Sequence, residues 1–333
     1  MTLDRRIRMP GRLRMLLLGA SLLASSGHAA EQGYPNRPIR LVVHTTAGAS
    51  SDVTARATAD EMGRRLGQQF VVENRAGAGG LIGAELVAKA TPNGYTLLAG
   101  ASSVMVMMPA VSRRKLPVDF DADLVPIGRI THSPGFVLVV NEKSSFRSLK
   151  DLIARAKASP GKITYGSAGP ATNPHMLGEM LNMLAGVSLA HIAYKGPNPA
   201  QIDLLAGAID CQFDTPSSVI PFVSAGRLRA LAITGPVRYP GLPEVPTTAE
   251  LGFPELLLRG WTAMYAPGGT PPGIVARLQA TLKEVLDNPQ FRSRLIALDQ
   301  QPGPLIGADL LREQRREREV WRKVATARNI VLE

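Results

Sequence analysis

Short apolar, β-prone runs alternate along this chain with stretches of helical periodicity. Runs at Ile39–His44, Gln69–Glu73, Tyr95–Ala99, Phe136–Asn141, Lys162–Gly166, Ala190–Tyr194, Ile209–Phe213, Leu228–Thr234 and Thr262–Ala266 predict strands. Ala55, Ala59, Met62 and Leu66 recur at helical spacing up to Gly67, with Ser50 or Ser51 placed to cap and Asp52 in the first turn. Further helices are predicted at Leu149–Ala158, which Ser148 is placed to cap, and at His175–Leu184, Asn198–Ala206 and Pro272–Leu286. Alternation of this kind implies parallel sheets covered by helices. Two changes of character mark crossovers between domains, at Arg129–Phe136 and in the proline-rich stretch Pro236–Trp261. The amphipathic helices after Pro271 are expected to return to the first domain.

The first thirty residues change the reading of charge and location. Arg5, Arg6, Arg8, Arg12 and Arg14 precede the apolar run Met15–Ala24, and Ser25–Ala30 supplies small residues for cleavage after Ala29 or Ala30. This predicts a secretory signal peptide and a periplasmic location, since the run is too short to span a bilayer stably. Of the formal +11, five arginines and one aspartate in residues 1–30 account for +4, which leaves +7. Arg312, Arg315, Arg316, Arg318, Arg322, Lys323 and Arg328 alternate with Glu313, Glu317 and Glu319, as on the wet face of a helix. Leu310, Leu311, Val320, Trp321 and Val324 form the other side. Nucleic acid is disfavoured, because no aromatic residues interleave with the charges. Cys211, the one cysteine, reads as a buried small hydrophobe on a strand and excludes an internal disulfide.

Strand-to-helix loops carry the candidate chemistry. Thr45-Thr46-Ala47-Gly48-Ala49-Ser50-Ser51-Asp52 sets backbone N–H groups and hydroxyls at a helix start, a geometry that binds anions. Asn74–Gly80 is glycine-rich but fails the dinucleotide fingerprint, with Ile82 where its third glycine belongs. Gly100-Ala101-Ser102-Ser103 follows the third strand, and Gly166–His175 enters a helix with Thr172 or Asn173 placed to cap. Catalytic patterns are mostly missing. Gly166-Ser167-Ala168-Gly169 lacks the spacing of a nucleophile elbow, and His44, His132, His175 and His191 have no zinc-ligand spacing. Lys195 has no neighbour that would depress its pKa.

The segments Tyr34–Val43, Val71–Gly80, Thr91–Leu98, Tyr165–Gly169, Tyr194–Pro197, Ala225–Ala232, Val245–Glu250 and Ala266–Pro271 occur in an order that resembles the Bug-type solute receptors of tripartite tricarboxylate transporters. The resemblance spans essentially the whole chain after the leader. It implies an α/β type II periplasmic-binding-protein fold, with two lobes joined by two crossovers and a ligand cleft between them. Lobe 1 would comprise residues 31–133 and 255–333, and lobe 2 residues 134–254. It also implies a carboxylate ligand, a membrane permease as partner, and no enzymatic activity; a monomer without cofactor or metal is expected. The chain departs from the family's Pro-Phe-Ala-Pro-Gly-Gly loop with His44-Thr45-Thr46-Ala47-Gly48-Ala49, and places Ala171 and Thr172 where a glycine and a serine are usual. These changes suggest a more polar or differently shaped contact surface.

Both lines predict a carboxylate held by Thr45, Thr46, Gly48, Ala49, Ser50 and Ser51, with Asp52 ordering the loop. Gly79 and Ala101, Ser102 and Ser103 line the same lobe. Ser167, Ala168, Thr172 and His175 close from the other lobe with Asp214 and Thr215, and Asp214 is placed to take an ammonium group if the ligand is an amino acid. Charge-assisted hydrogen bonds of about 1.5–3 kcal/mol each make micromolar binding attainable. An exported α/β hydrolase using Ser167 or Ser102, or a purely sensory receptor, are the alternatives.

Overall fold

The computed structural model describes residues 33–194 and 196–330; the leader read at residues 1–30, and Lys195, lie outside them. Among the described residues, no helix is long and apolar enough to cross a membrane. The first part of the chain runs β1 (Ile39–Val43), α1 (Ser50–Leu66), β2 (Phe70–Asn74), α2 (Leu81–Ala88), β3 (Thr96–Ala101), α3 (Met108–Val111) and β4 (Leu124–His132). Then come β5 (Val137–Asn141), α4 (Leu149–Ala158), β6 (Thr164–Ser167), α5 (Asn173–Ala185), β7 (Ala190–Ala193), α6 (Pro197–Ala206), β8 (Cys211–Asp214), α7 (Pro216–Ser224) and β9 (Leu228–Ile233). The chain returns through β10 (Trp261–Pro267), α8 (Pro272–Asp287), α9 (Pro289–Ala297), β11 (Gln301–Pro302) and α10 (Ala308–Ala327).

Two sheets result. The first has the order β11-β4-β10-β3-β1-β2 and the second β7-β6-β8-β5-β9. The chain passes between them after β4 and again between β9 and β10. The all-parallel expectation is corrected. β1, β2 and β3 are parallel, as are β6, β7 and β8, but β10 runs antiparallel to β3 and β4, and β5 to β8 and β9. The antiparallel strands are those that carry the chain between sheets. They enter from the neighbouring sheet and so escape the helical crossover that keeps sequential strands parallel. β4 is not among the strands expected from the sequence, and its last residues, Arg129–His132, fall in the stretch expected to be a crossover. Pro126 sits beside a register shift opposite Tyr265, and a Cβ on Gly128 would meet Ile306 and Leu282.

Alternate residues of β1 serve two cores. Ile39, Leu41 and Val43 pack with α1 and α8, while Val42 faces a cluster that runs without interruption into the second sheet at Leu138, Val140, Cys211 and Phe213. Cys211 is fully buried on β8, as its sequence predicts. Val137, Val139, Ala200, Leu204 and Val219 form a third core behind the second sheet. α4 spans Leu149–Ala158, and the Ser148 Oγ accepts the Asp151 N–H at 3.1 Å.

α10 packs on the first sheet and also reaches the second lobe. Arg328 pairs with Glu179 of α5 at 3.0 Å, and the same carboxylate accepts the Tyr165 hydroxyl at 2.8 Å. Its buried face differs from the sequence reading. Val320 is exposed, and Arg318 is buried, donating to the Met105 carbonyl at 3.0 Å and to Asp121 at 2.6 Å. Spacing explains this, since Arg318 lies on the helical face of Gln314, Trp321 and Ala325.

Candidate functional site

β1 ends at Val43, and His44 turns inward. Its Nδ1 donates to the Ala99 carbonyl at 2.9 Å, and burial pushes its pKa down to about 4, so the ring is neutral. The ring lies against Gly80, where an added Cβ would stand 2.6 Å from it, at a backbone φ of +99° that already favours glycine. His44 therefore props the Gly77–Gly80 loop from beneath, and contributes no contact surface.

The loop that follows is ordered from within. Asp52, 2% exposed, accepts from the Gly48 N–H at 2.9 Å, Asn74 Nδ2 at 2.8 Å and Arg56 Nε at 3.0 Å. Burial opposes its ionisation, but the hydrogen bonds from Arg56, Gly48 and Asn74 outweigh it and hold the carboxyl below its usual range. Thr45 Oγ1 and Ser51 Oγ share a hydrogen bond of 2.9 Å. Neither Ser50 nor Ser51 caps α1. Its N-cap is Ala49, and no side chain bonds to the first-turn amides. Thr46, Gly48 and Ser50 are exposed and Ala49 is half-buried.

β3 continues through Gly100 and Ala101, where the sequence suggests the start of a loop, and Ser103–Met107 forms a π-helical turn. Ser102 is fully buried at the junction of the two lobes. Its Oγ accepts from the Trp261 N–H and from Asn173 Nδ2 of α5, both at 3.4 Å. Ala101 and Ser103 are half-buried beside it, and Gly79 is exposed.

On the opposite side, β6 ends at Ser167, which is also fully buried. Its hydroxyl lies 2.6 Å from His191 Nε2 and accepts from the Gly169 N–H at 3.1 Å. The His175 and His191 rings stack at 4.1 Å, and His175 Nδ1 accepts the Ala171 N–H at 3.1 Å. Burial, and for His191 the neighbouring His175, lower both pKa values, that of His191 to about 4. Thr172 is the N-cap of α5 but donates to the Gly169 carbonyl at 2.7 Å, so α5 begins without a side-chain cap. α7 likewise follows β8 without one; Thr215 Oγ1 is bonded to Ser218 Oγ at 3.0 Å. Asp214 is 6% exposed, accepts from Gln212 Nε2 at 2.9 Å and from the Thr215 N–H at 2.7 Å, and is pushed up by burial to about 6.

The residues singled out in the sequence thus separate into two layers. Thr46, Gly48, Ala49, Ser50, Gly79, Ser103, Ala168, Thr172 and Thr215 present surface at the strand ends. Asp52, Ser102, Ser167, His175 and Asp214 lie behind them, holding the loops. The sequence reading missed Asn74, His191 and Gln212, and took Asn173 only as a cap. Asn74 pairs in register with Val43, so its place at the same sheet edge follows once β1 and β2 are known to be neighbours. For hydrolysis the pieces do not assemble. Among the described residues no carboxylate hydrogen-bonds His191, Glu179 being engaged by Tyr165 and Arg328, and Ser102 has no histidine partner.

Residues 54–323 match the model of the tripartite tricarboxylate transporter family receptor. Protein BugT of Bordetella pertussis is 38% identical over 278 residues, which cover 83% of this chain and 85% of that protein. Rpa4515 of R. palustris, solved with adipate, superimposes with a TM-score of 0.81 at 31% identity, covering 90% of this chain and 99% of that one. MatC from Rhodopseudomonas palustris, solved with bound malate, gives 0.75 at 29% identity, with 87% and 99% covered.

Proposed function

Because the chain belongs to the tripartite tricarboxylate transporter receptor family, we propose that it captures a small organic carboxylate between its two lobes by closing one on the other and delivers it to a membrane permease. The lobes are taken as residues 31–133 with 255–333, and 134–254, meeting where the chain crosses between sheets. The observation that carries this reading is the set of helix starts at the ends of β1, β6 and β8. α1, α5 and α7 all begin there without a side-chain cap. Their first-turn amides and the positive ends of their dipoles suit an anion that bridges the lobes. The Asn173 to Ser102 hydrogen bond puts the α5 start against the β3 end, so the anion would meet both lobes.

Nearby carboxylates do not oppose this. Asp52 is neutralised by Arg56, and Asp214 is held inside its own turn. The exposed Thr46 and Ser50 would add hydroxyl donors around the carboxylate. Adipate in Rpa4515 and malate in MatC make dicarboxylates the first class to try. Export to the periplasm would follow from the leader at residues 1–30.

A thermal-shift panel of mono-, di- and tricarboxylates, with adipate and malate included, tests the reading. Concentration-dependent stabilisation by at least one carboxylate is expected. Stabilisation by a sugar or a metal ion, with none by any carboxylate, would overturn it.

A further inference from the structure

A large concavity lies away from the strand ends that form the candidate site. It occupies about 1050 Å³ at the far end of the second sheet, where β5 ends and β6 and β9 begin. Lys143, Arg155, Lys162 and Arg227 stand around it. They come from four segments: the turn after β5, helix α4, the turn before β6 and the turn before β9. All four are exposed, and none forms an ion pair within 4 Å with a described residue.

The carboxylates in the same wall are already committed. Glu142 is paired with Arg229 and, at 3.5 Å, with Arg147. Asp210 accepts from the Thr164 N–H at 2.8 Å and from Thr164 Oγ1 at 2.9 Å. Four cations outside any ion pair therefore face one carboxylate matched by two arginines and one, Asp210, that keeps its charge behind two neutral donors, so the concavity is net positive. Such a groove attracts a partner with several negative charges.

We propose that this groove docks an acidic polypeptide segment of a partner protein; the receptor reading above makes the permease that partner, and the proposal rests on that reading to this extent. Shape selects a polypeptide over a lipid surface. The cations ring a concavity, and a flat bilayer would touch only its rim, whereas an extended acidic chain can enter it. Size argues against a small free anion, since a groove of this volume exceeds what one dicarboxylate fills. Position adds a role. The groove lies at the end of β5 and the start of β9, opposite the strand ends where the chain crosses between sheets, so a partner gripping it would hold the second lobe at a distance from the crossovers.

Binding of a fluorescein-labelled octaglutamate peptide, followed by anisotropy at low salt, tests the assignment. K143Q/R155Q/K162Q/R227Q should weaken binding by about tenfold or more, while R113Q/R114Q/R322Q/K323Q, which removes as many exposed cations elsewhere, should change it by less than about threefold. Equal losses in both variants, or no loss in the first, would refute the groove. So would phosphatidylglycerol vesicles that bind in a groove-dependent manner when the peptide does not. Stabilisation by adipate or malate should be the same in both variants and the wild type. If no carboxylate stabilises the wild type, the receptor reading fails, and the peptide result still reports on the groove.

Discussion

Replacing Asp52 by asparagine tests how the first loop is held. Two donors to a buried carboxylate, the Gly48 N–H at 2.9 Å and Asn74 Nδ2 at 2.8 Å, lose a charged acceptor and keep at most a neutral one. Hydrogen bonds to charged groups contribute about 1.5–3 kcal/mol and neutral ones about 0.5–1.5, so each bond loses about 1 kcal/mol. The Arg56 side chain is 45% exposed, and solvent screening limits its share to less than about 1 kcal/mol. A loss of about 2–3 kcal/mol is expected for D52N in urea unfolding at pH 7. The pH dependence carries a definite sign. The folded-state pKa of Asp52 lies below its ordinary value of about 3.8, so its contribution is present above that value and is lost as pH falls through the folded pKa. The difference between D52N and wild type should therefore shrink in acid. Hydrogen exchange should locate the damage at residues 45–52. A D52N protein as stable as wild type, or a difference that does not change with pH, would refute the reasoning.

Three further outcomes follow from the packing. G178A drives a Cβ into the Tyr165 ring at the contact of α5 with β6, and should lower stability by more than about 2 kcal/mol, seen as a fall in melting temperature. R328A leaves the Glu179 carboxylate, 12% exposed, without its cation. A loss of about 1–2 kcal/mol is expected, and E179Q in the same chain should recover part of it. Cys211 is fully buried and its thiol pKa is raised by burial, so a disulfide reagent should modify it at the rate of unfolding, and quickly only in denaturant.

Local signals are legible in the sequence, and long-range ones are not. α4 is delimited in the sequence because Ser148 caps it and its apolar positions recur at helical spacing. β1, β3 and β5 were legible as apolar runs. β4 was not, because its Pro126 and Gly128 are tolerated only through pairing with β10, some 130 residues further along the chain. Antiparallel insertion of β10 between β3 and β4 is a tertiary choice that no local pattern encodes. In the site, the order-keeping role expected of Asp52 is what its hydrogen bonds show. The caps expected of Ser50 and Ser51 are absent because the Ser51 hydroxyl bonds to Thr45 and the N-cap falls on Ala49. His44, read as an unusual polar residue of the contact surface, is a core histidine, for Gly80 and Ala99 enclose it.

Hydrogen-exchange mass spectrometry with and without saturating adipate or malate tests the capture of a carboxylate between the lobes most directly. Slowed exchange is expected together at residues 46–52 and 101–104 of one lobe and at 168–176 and 215–218 of the other. Slowing confined to one lobe, or to segments away from these strand ends, would contradict it.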